Sequence, residues 1–118
     1  MKLNRIFMLL IFAVSIFAGE ADVKNVNVEK ISKNTYNFHV TVKHSDEGQK
    51  HYADRWEILD ENGEVLAIRI LHHPHIDEQP FTRSMYDVEL PKDVKEVKIR
   101  AHDLIHGYGG EEKSIKLP

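Results

Sequence analysis

The sequence predicts an all-β fold, a seven-stranded sandwich that follows an export signal. Three observations carry that reading. Seven short stretches alternate apolar and polar residues with period two, turn residues separate them, and none of the seven repeats its apolar residues at helical spacing.

The chain has 118 residues, enough for one domain with a single core. It opens with Lys2 and Arg5, an apolar run from Ile6 to Ala18, and small residues in "FAGEAD". A short basic start, an apolar stretch of this length and a small-residue exit predict a signal peptide over residues 1–18, cut after Ala18 or after Ala21. The run is short for a bilayer-spanning helix and no second one follows, so no membrane insertion is expected of the mature form. Periplasmic or secreted location follows from the signal. Residues 22–118 then form one sandwich domain.

The first strand is "VKNVNVEKI" (23–31), with Val26 and Val28 in phase. "TYNFHVTVK" (35–43) alternates more strictly, setting Tyr36, Phe38, Val40 and Val42 on one face. "YADRWEILD" (52–60) places Tyr52, Asp54, Trp56 and Ile58 together, and Asn62-Gly63 suits the left-handed residues of a tight hairpin turn. The returning strand, "EVLAIRILH" (64–72), brings Leu66, Ile68, Ile70 and His72 into phase. "MYDVELP" (85–91) supplies Tyr86, Val88 and Leu90; "VKEVKIRAHD" (94–103) supplies Val97, Ile99 and Ala101; "KSIKLP" (113–118) closes with Ile115 and Leu117. Seven strands of this spacing, half-polar faces and a Trp on the third strand predict an immunoglobulin-like or fibronectin-III-like sandwich.

Without Lys2 and Arg5 the chain keeps 14 basic residues against 19 acidic ones, a net charge of −5 with neutral histidines. That balance excludes a nucleic-acid binder, which needs a basic face, and disfavours an anionic membrane surface. No cysteine is present, which removes disulfides, thiolate ligands and lipid attachment at a cysteine of this chain. Ser45 and Ser84 lack the strand-turn-helix setting of a nucleophilic serine, and no pair of carboxylates stands out for glycoside chemistry.

The histidines carry the functional signal. If each strand runs opposite to the one before, alternate connections share an end. "SKN", "ENG" and "PKD" lie at one end and contain no histidine. "KHSDEGQKHY", "HHPHIDEQPFTRS" and "HDLIHGYGG" lie at the other and hold His44, His51, His72, His73, His75, His102 and His106, seven of the eight. Clustered imidazoles with carboxylates nearby and no sulfur suit copper, zinc, iron or nickel. The candidate metal ligands are therefore His44, His51, His73, His75, His102, His106 and Asp103, the true set being a subset of these. Within "HHPH", His75 is expected to turn inward first and His73 next, with His72 packed at the sandwich end. Asp54 is a candidate to orient a ligand ring, or to pair with Arg100. The same loops also carry Phe81, Arg83 and Tyr108, residue types that dominate recognition surfaces, so a protein or small-ligand partner is the alternative to a metal ion.

Two resemblances attach to these residues. "HHPHIDEQPFTRS" and "HGYGG", with the strand pair between them, resemble an uncharacterised family of small exported bacterial proteins over roughly Tyr52 to Pro118. "KHSDEGQKHYADRWEI" and "RAHDLIHGYGG" resemble, more distantly, the iron domain of superoxide reductases (desulfoferrodoxin and neelaredoxin). That resemblance implies a sandwich in which His44, His51 and His106 ligate iron, one of His72, His73 or His75 supplies a further ring, and Asp103 stands where the family has its thiolate. A redox enzyme lacking that thiolate is the activity it implies.

Overall fold

The computed structural model describes residues 19–118, so the leader expected over 1–18 lies outside the described residues. It contains seven strands: β1 (Asp22–Ser32), β2 (Thr35–Lys43), β3 (Ala53–Leu59), β4 (Val65–Ile70), β5 (Phe81–Glu89), β6 (Glu96–Asp103) and β7 (Lys113–Lys116). They form two antiparallel sheets, β1-β2-β5 and β4-β3-β6-β7, which face each other as a sandwich. No helix among the described residues is long and apolar enough to cross a membrane.

The core follows from the alternation. Phe38, Val40 and Val42 of β2 and Val97, Ile99 and Ala101 of β6 are buried, and Trp56, Ile58 and Phe81 fill the space between the sheets. A fully buried side chain of this size contributes about 1.5–3 kcal/mol of transfer free energy, so the two regular strands and Trp56 anchor the fold.

Bulges account for the departures from the expected phases. In β3 the pairing with β6 shifts between Ala53 and Arg55, so Ala53 and Trp56 both face inward and Asp54 leaves the Trp56 face on which it was expected. In β5 the pairing with β2 shifts opposite Tyr36 and Phe38, and Asp87 takes a positive φ of 55° there. Tyr86, expected inward with Val88, is instead exposed. β5 also begins at Phe81 rather than Met85; its first half shows one large apolar residue among Thr82, Arg83 and Ser84, too little alternation to read as a strand. In β4, Ile68 and Ile70 lie opposite Glu57 and Arg55 and face outward, whereas Ala67 and Arg69 lie opposite Ile58 and Trp56. Leu66, at the register shift, packs against the core as expected, but from Ala67 onward the phase expected for β4 is reversed, and Leu71 rather than His72 closes the end of the core.

Candidate metal centre

Strand periodicity delivers two of the site's residues. Beyond Val42, the inward phase of β2 continues to His44; beyond Ala101, that of β6 continues to Asp103. Both are buried, at 2% and 0% exposure. Because β2 and β6 belong to opposite sheets, their inward faces meet at the end of the sandwich, and His44 Nε2 donates to Asp103 Oδ2 at 2.8 Å.

Two tight turns complete the arrangement. After β2, the chain doubles back: Glu47 N donates to His51 O (2.8 Å) and His51 N to Gly48 O (3.1 Å), with Gly48 at φ 132°. This turn swings the His51 ring over the site, where Nε2 donates to the same Asp103 Oδ2 at 2.8 Å. After β6, Asp103 and Gly107 exchange backbone hydrogen bonds of 3.1 Å, closed by Gly107 at φ 70°. Within that turn His106 N donates to Asp103 Oδ1 at 2.7 Å, so one carboxylate oxygen is held by backbone and the other is left to the two rings.

The far side of each ring is held as well. His44 Nδ1 donates to Asp46 Oδ1 and His51 Nδ1 to Glu47 Oε1, both at 2.5 Å. Asp46 also accepts from Ala53 N (3.1 Å) and His75 N (2.6 Å), and Gln79 accepts from His44 N (2.9 Å) while donating to His75 O (2.8 Å). Asp46 and Gln79 thus lock the β2–β3 loop to the β4–β5 loop behind the His44 ring. A ring nitrogen oriented by an outer carboxylate, with its other nitrogen aimed at a shared point, is the arrangement that fixes metal-ligating histidines.

The donor atoms of His44, His51 and Asp103 lie within 4.8 Å of one another. Metal–ligand bonds to nitrogen and oxygen run about 2.0–2.2 Å, so one ion between these atoms needs only small ring movements. Ionised carboxylates only accept hydrogen bonds. Each ring nitrogen facing Asp103 must therefore carry a proton there or give its place to a cation. The hydrogen bond to Glu47 chiefly, and Asp103 after it, hold the His51 ring above its ordinary pKa against the opposing effect of burial. His51 keeps 12% side-chain exposure while His44 and Asp103 have none, which makes the His51 edge the way in from solvent.

The other candidate histidines fall elsewhere. His106 is exposed, with its ring 5.1 Å from that of His51, on the solvent side of the centre. His75 is buried and stacked on Phe81 at 4.0 Å; its Nδ1 stops 3.8 Å from Asp46 Oδ2, and neither ring nitrogen has a hydrogen-bond partner. Burial, with Arg83 and His73 nearby, pushes its pKa down. His73 and His72 are exposed; the His73 ring lies 4.8 Å from that of His75. His102 has the opposite phase to Asp103, faces outward and donates to Asp54 Oδ1 at 2.6 Å, beside Tyr108. Asp54 therefore orients a histidine ring, but one outside the centre, and Arg100 pairs with Glu57 instead.

Asp46, Glu47 and Gln79 were not among the candidates read from sequence. Spacing held the only signal: Asp46 lies two residues beyond His44, and Glu47 four before His51.

With this geometry in place, comparison with known proteins adds one relative. The chain is 39% identical over 92 residues to a protein of Halomicrobium mukohataei named "Putative lipoprotein". The match covers 78% of this chain and 45% of that protein, so the chain spans about half the length of the curated relative it matches. No family model and no solved structure matches the chain.

Proposed function

We propose that this protein is an exported metal-binding domain, a carrier, sensor or buffer, whose ion is held by His44 Nε2, His51 Nε2 and the Asp103 carboxylate. The observation that carries the reading is the convergence of two buried or half-buried imidazole nitrogens on a single carboxylate oxygen, each ring held from behind by another carboxylate. Burying the Asp46 and Asp103 carboxylates together with the His44 ring serves no packing purpose that apolar residues would not serve better. Two imidazoles and a carboxylate suit zinc, copper or iron(II), and three protein ligands leave coordination positions open. Export is supported by the leader-like start of the sequence and by the name of the relative.

Titration of the mature protein with zinc, copper(II) and iron(II) tests this. We expect saturable one-to-one binding of at least one ion, tighter than about micromolar, or about −8 kcal/mol. Asp103→Asn should weaken it strongly, while His102→Ala, on the outer face, should leave it unchanged. Absence of saturable binding with all three ions removes the reading.

A superoxide-reductase-like redox role is the second reading, supported by the placement of His44, His51, His106 and Asp103 in one neighbourhood. The carboxylate at 103 lacks the electronic influence an axial thiolate has on iron, so we rank metal holding above redox turnover. Superoxide consumption by the iron-loaded protein above the rate of free iron would reverse that order.

A further inference from the structure

The backbone of Gly19 lies inside the candidate metal centre. Its carbonyl oxygen accepts from His44 Nε2 at 2.9 Å, the same nitrogen that faces Asp103. A Cβ on Gly19 would stand 2.8 Å from His106 Nε2, and its φ of 93° is left-handed, so only glycine fits easily between the two rings. Gly19 is also the residue that directly follows the first of the two cleavage points expected from sequence.

The residues after Gly19 are built into the fold. Ala21 is 2% exposed and belongs to the core. Its carbonyl oxygen approaches Gly110 so closely that a Cβ there would stand 1.9 Å away, and a Cβ on Gly109 would meet the Glu20 carboxylate at 2.8 Å. The glycine pair of "HGYGG" is thus a cradle for Glu20 and Ala21. Asp22 Oδ1 accepts from Glu111 N (2.7 Å), and Val23 N donates to Glu111 O (2.8 Å). A chain cut after Ala21 would empty the cradle and remove a core residue; one cut after Ala18 keeps both.

From this placement we infer that the Ala18–Gly19 bond is hydrolysed on export and that the freed α-amine of Gly19 becomes a further ligand of the metal centre. In the cleavage, water supplied through a signal peptidase gives its hydroxyl to the Ala18 carbonyl carbon and its proton to the Gly19 nitrogen. Once that nitrogen releases its extra proton, it and the carbonyl oxygen of the same residue form a small chelate beside His44. The amine is a nitrogen donor of the kind that borderline ions such as copper(II) and zinc favour. Three side-chain ligands with the amine and carbonyl oxygen of Gly19 give a five-donor set, of which the amine is the donor the uncut chain cannot supply. The inference deepens the metal-binding reading and rests on it.

The experiment has two measurements. The full chain is exported from a bacterial host and its intact mass is determined; a start at Gly19 is expected, and a start at Asp22 overturns the inference. Copper(II) and zinc are then titrated into the Gly19-start protein and into one retaining Ala18, with matched thermal unfolding to confirm equal folding. We expect the Gly19-start form to bind at least about tenfold more tightly, since even outer partners of ligands are worth about 10–100-fold in affinity. The copper(II) electron paramagnetic resonance spectrum should lose one nitrogen donor when Ala18 is retained. Equal affinity and equal spectra overturn the terminal-amine ligand but leave the side-chain site standing. Binding by neither form overturns the metal reading and this inference together.

Discussion

Asp103 carries its carboxylate fully into the interior and surrounds it with donors: His106 N on Oδ1, His44 and His51 Nε2 on Oδ2. Removing one partner of a buried charge cluster strands the others, which typically costs about 3–5 kcal/mol. Asp103→Ala should therefore lower the unfolding free energy of the metal-free protein by about that amount, measured by urea denaturation. Asp103→Asn keeps an acceptor for His106 N and should lose less. If both variants unfold like the parent, the three contacts contribute nothing to stability. The residue scale also separates neighbours that composition cannot. Asp103 and His102 are adjacent, yet the first continues the phase of Val97, Ile99 and Ala101 and the second does not. Carrying the β6 alternation two residues further would have placed Asp103 inside and His102 outside from sequence alone.

Elements position the site through turns more than through strands. The turn from Asp103 to Gly107 needs a left-handed residue, and nothing but open space and the distant His102 ring lies where a Cβ would be, 3.9 Å away. Gly107→Ala thus isolates backbone strain, and the expected loss is about 1–2 kcal/mol for placing an L-residue there. Because the same turn sets Asp103 Oδ1 on His106 N, metal affinity should fall in parallel; retained affinity with reduced stability would show that the turn does not orient the carboxylate. The strands themselves were largely legible. β2 and β6 alternate without interruption over the residues that matter, so their spans and faces follow from period two. The reversals in β3, β4 and β5 were not legible. A bulge adds one residue to a strand and inverts every later side chain, and an edge strand such as β4 tolerates isoleucines on its outer face. Sequence periodicity registers the pattern but not the point at which it slips. Likewise, the gathering of histidines at one end could be read from connection order, whereas the convergence of the His44 and His51 rings on Asp103, with His73, His75 and His102 held elsewhere, depends on turns and rotations set by tertiary packing.

At the scale of the whole molecule, two histidines give the metal-free protein opposite pH dependences. The His51 pKa lies above 6.5, raised by Glu47 and Asp103, so its contribution is fully present below 6.5 and is lost as pH rises through the folded value. The His75 pKa lies below 6.5, lowered by burial first, then Arg83 and His73. The unfolded chain takes up that proton before the folded one, so stability is lost as pH falls from 6.5 towards the folded value. The metal-free protein should therefore be most stable near neutrality and lose stability on both sides. On the proposed metal-binding reading, a bound ion would change the alkaline side alone. It would take the place of the His51 proton, so its binding would strengthen as that proton becomes easier to remove, and its stabilisation would follow RT ln(1 + [L]/Kd), about 2.7 kcal/mol at 100 times Kd. Zinc should raise the unfolding temperature clearly at about pH 8 and hardly at all at about pH 5, where protons hold the ligand nitrogens. Calorimetry across this range with and without zinc measures both limbs. His75→Phe, which keeps the stack on Phe81 while removing the titrating nitrogens, should flatten the acid limb and leave the zinc response at the alkaline end intact. An unfolding temperature raised equally by zinc at both pH values would mean that the ion binds where no proton competes, and so away from His44, His51 and Asp103.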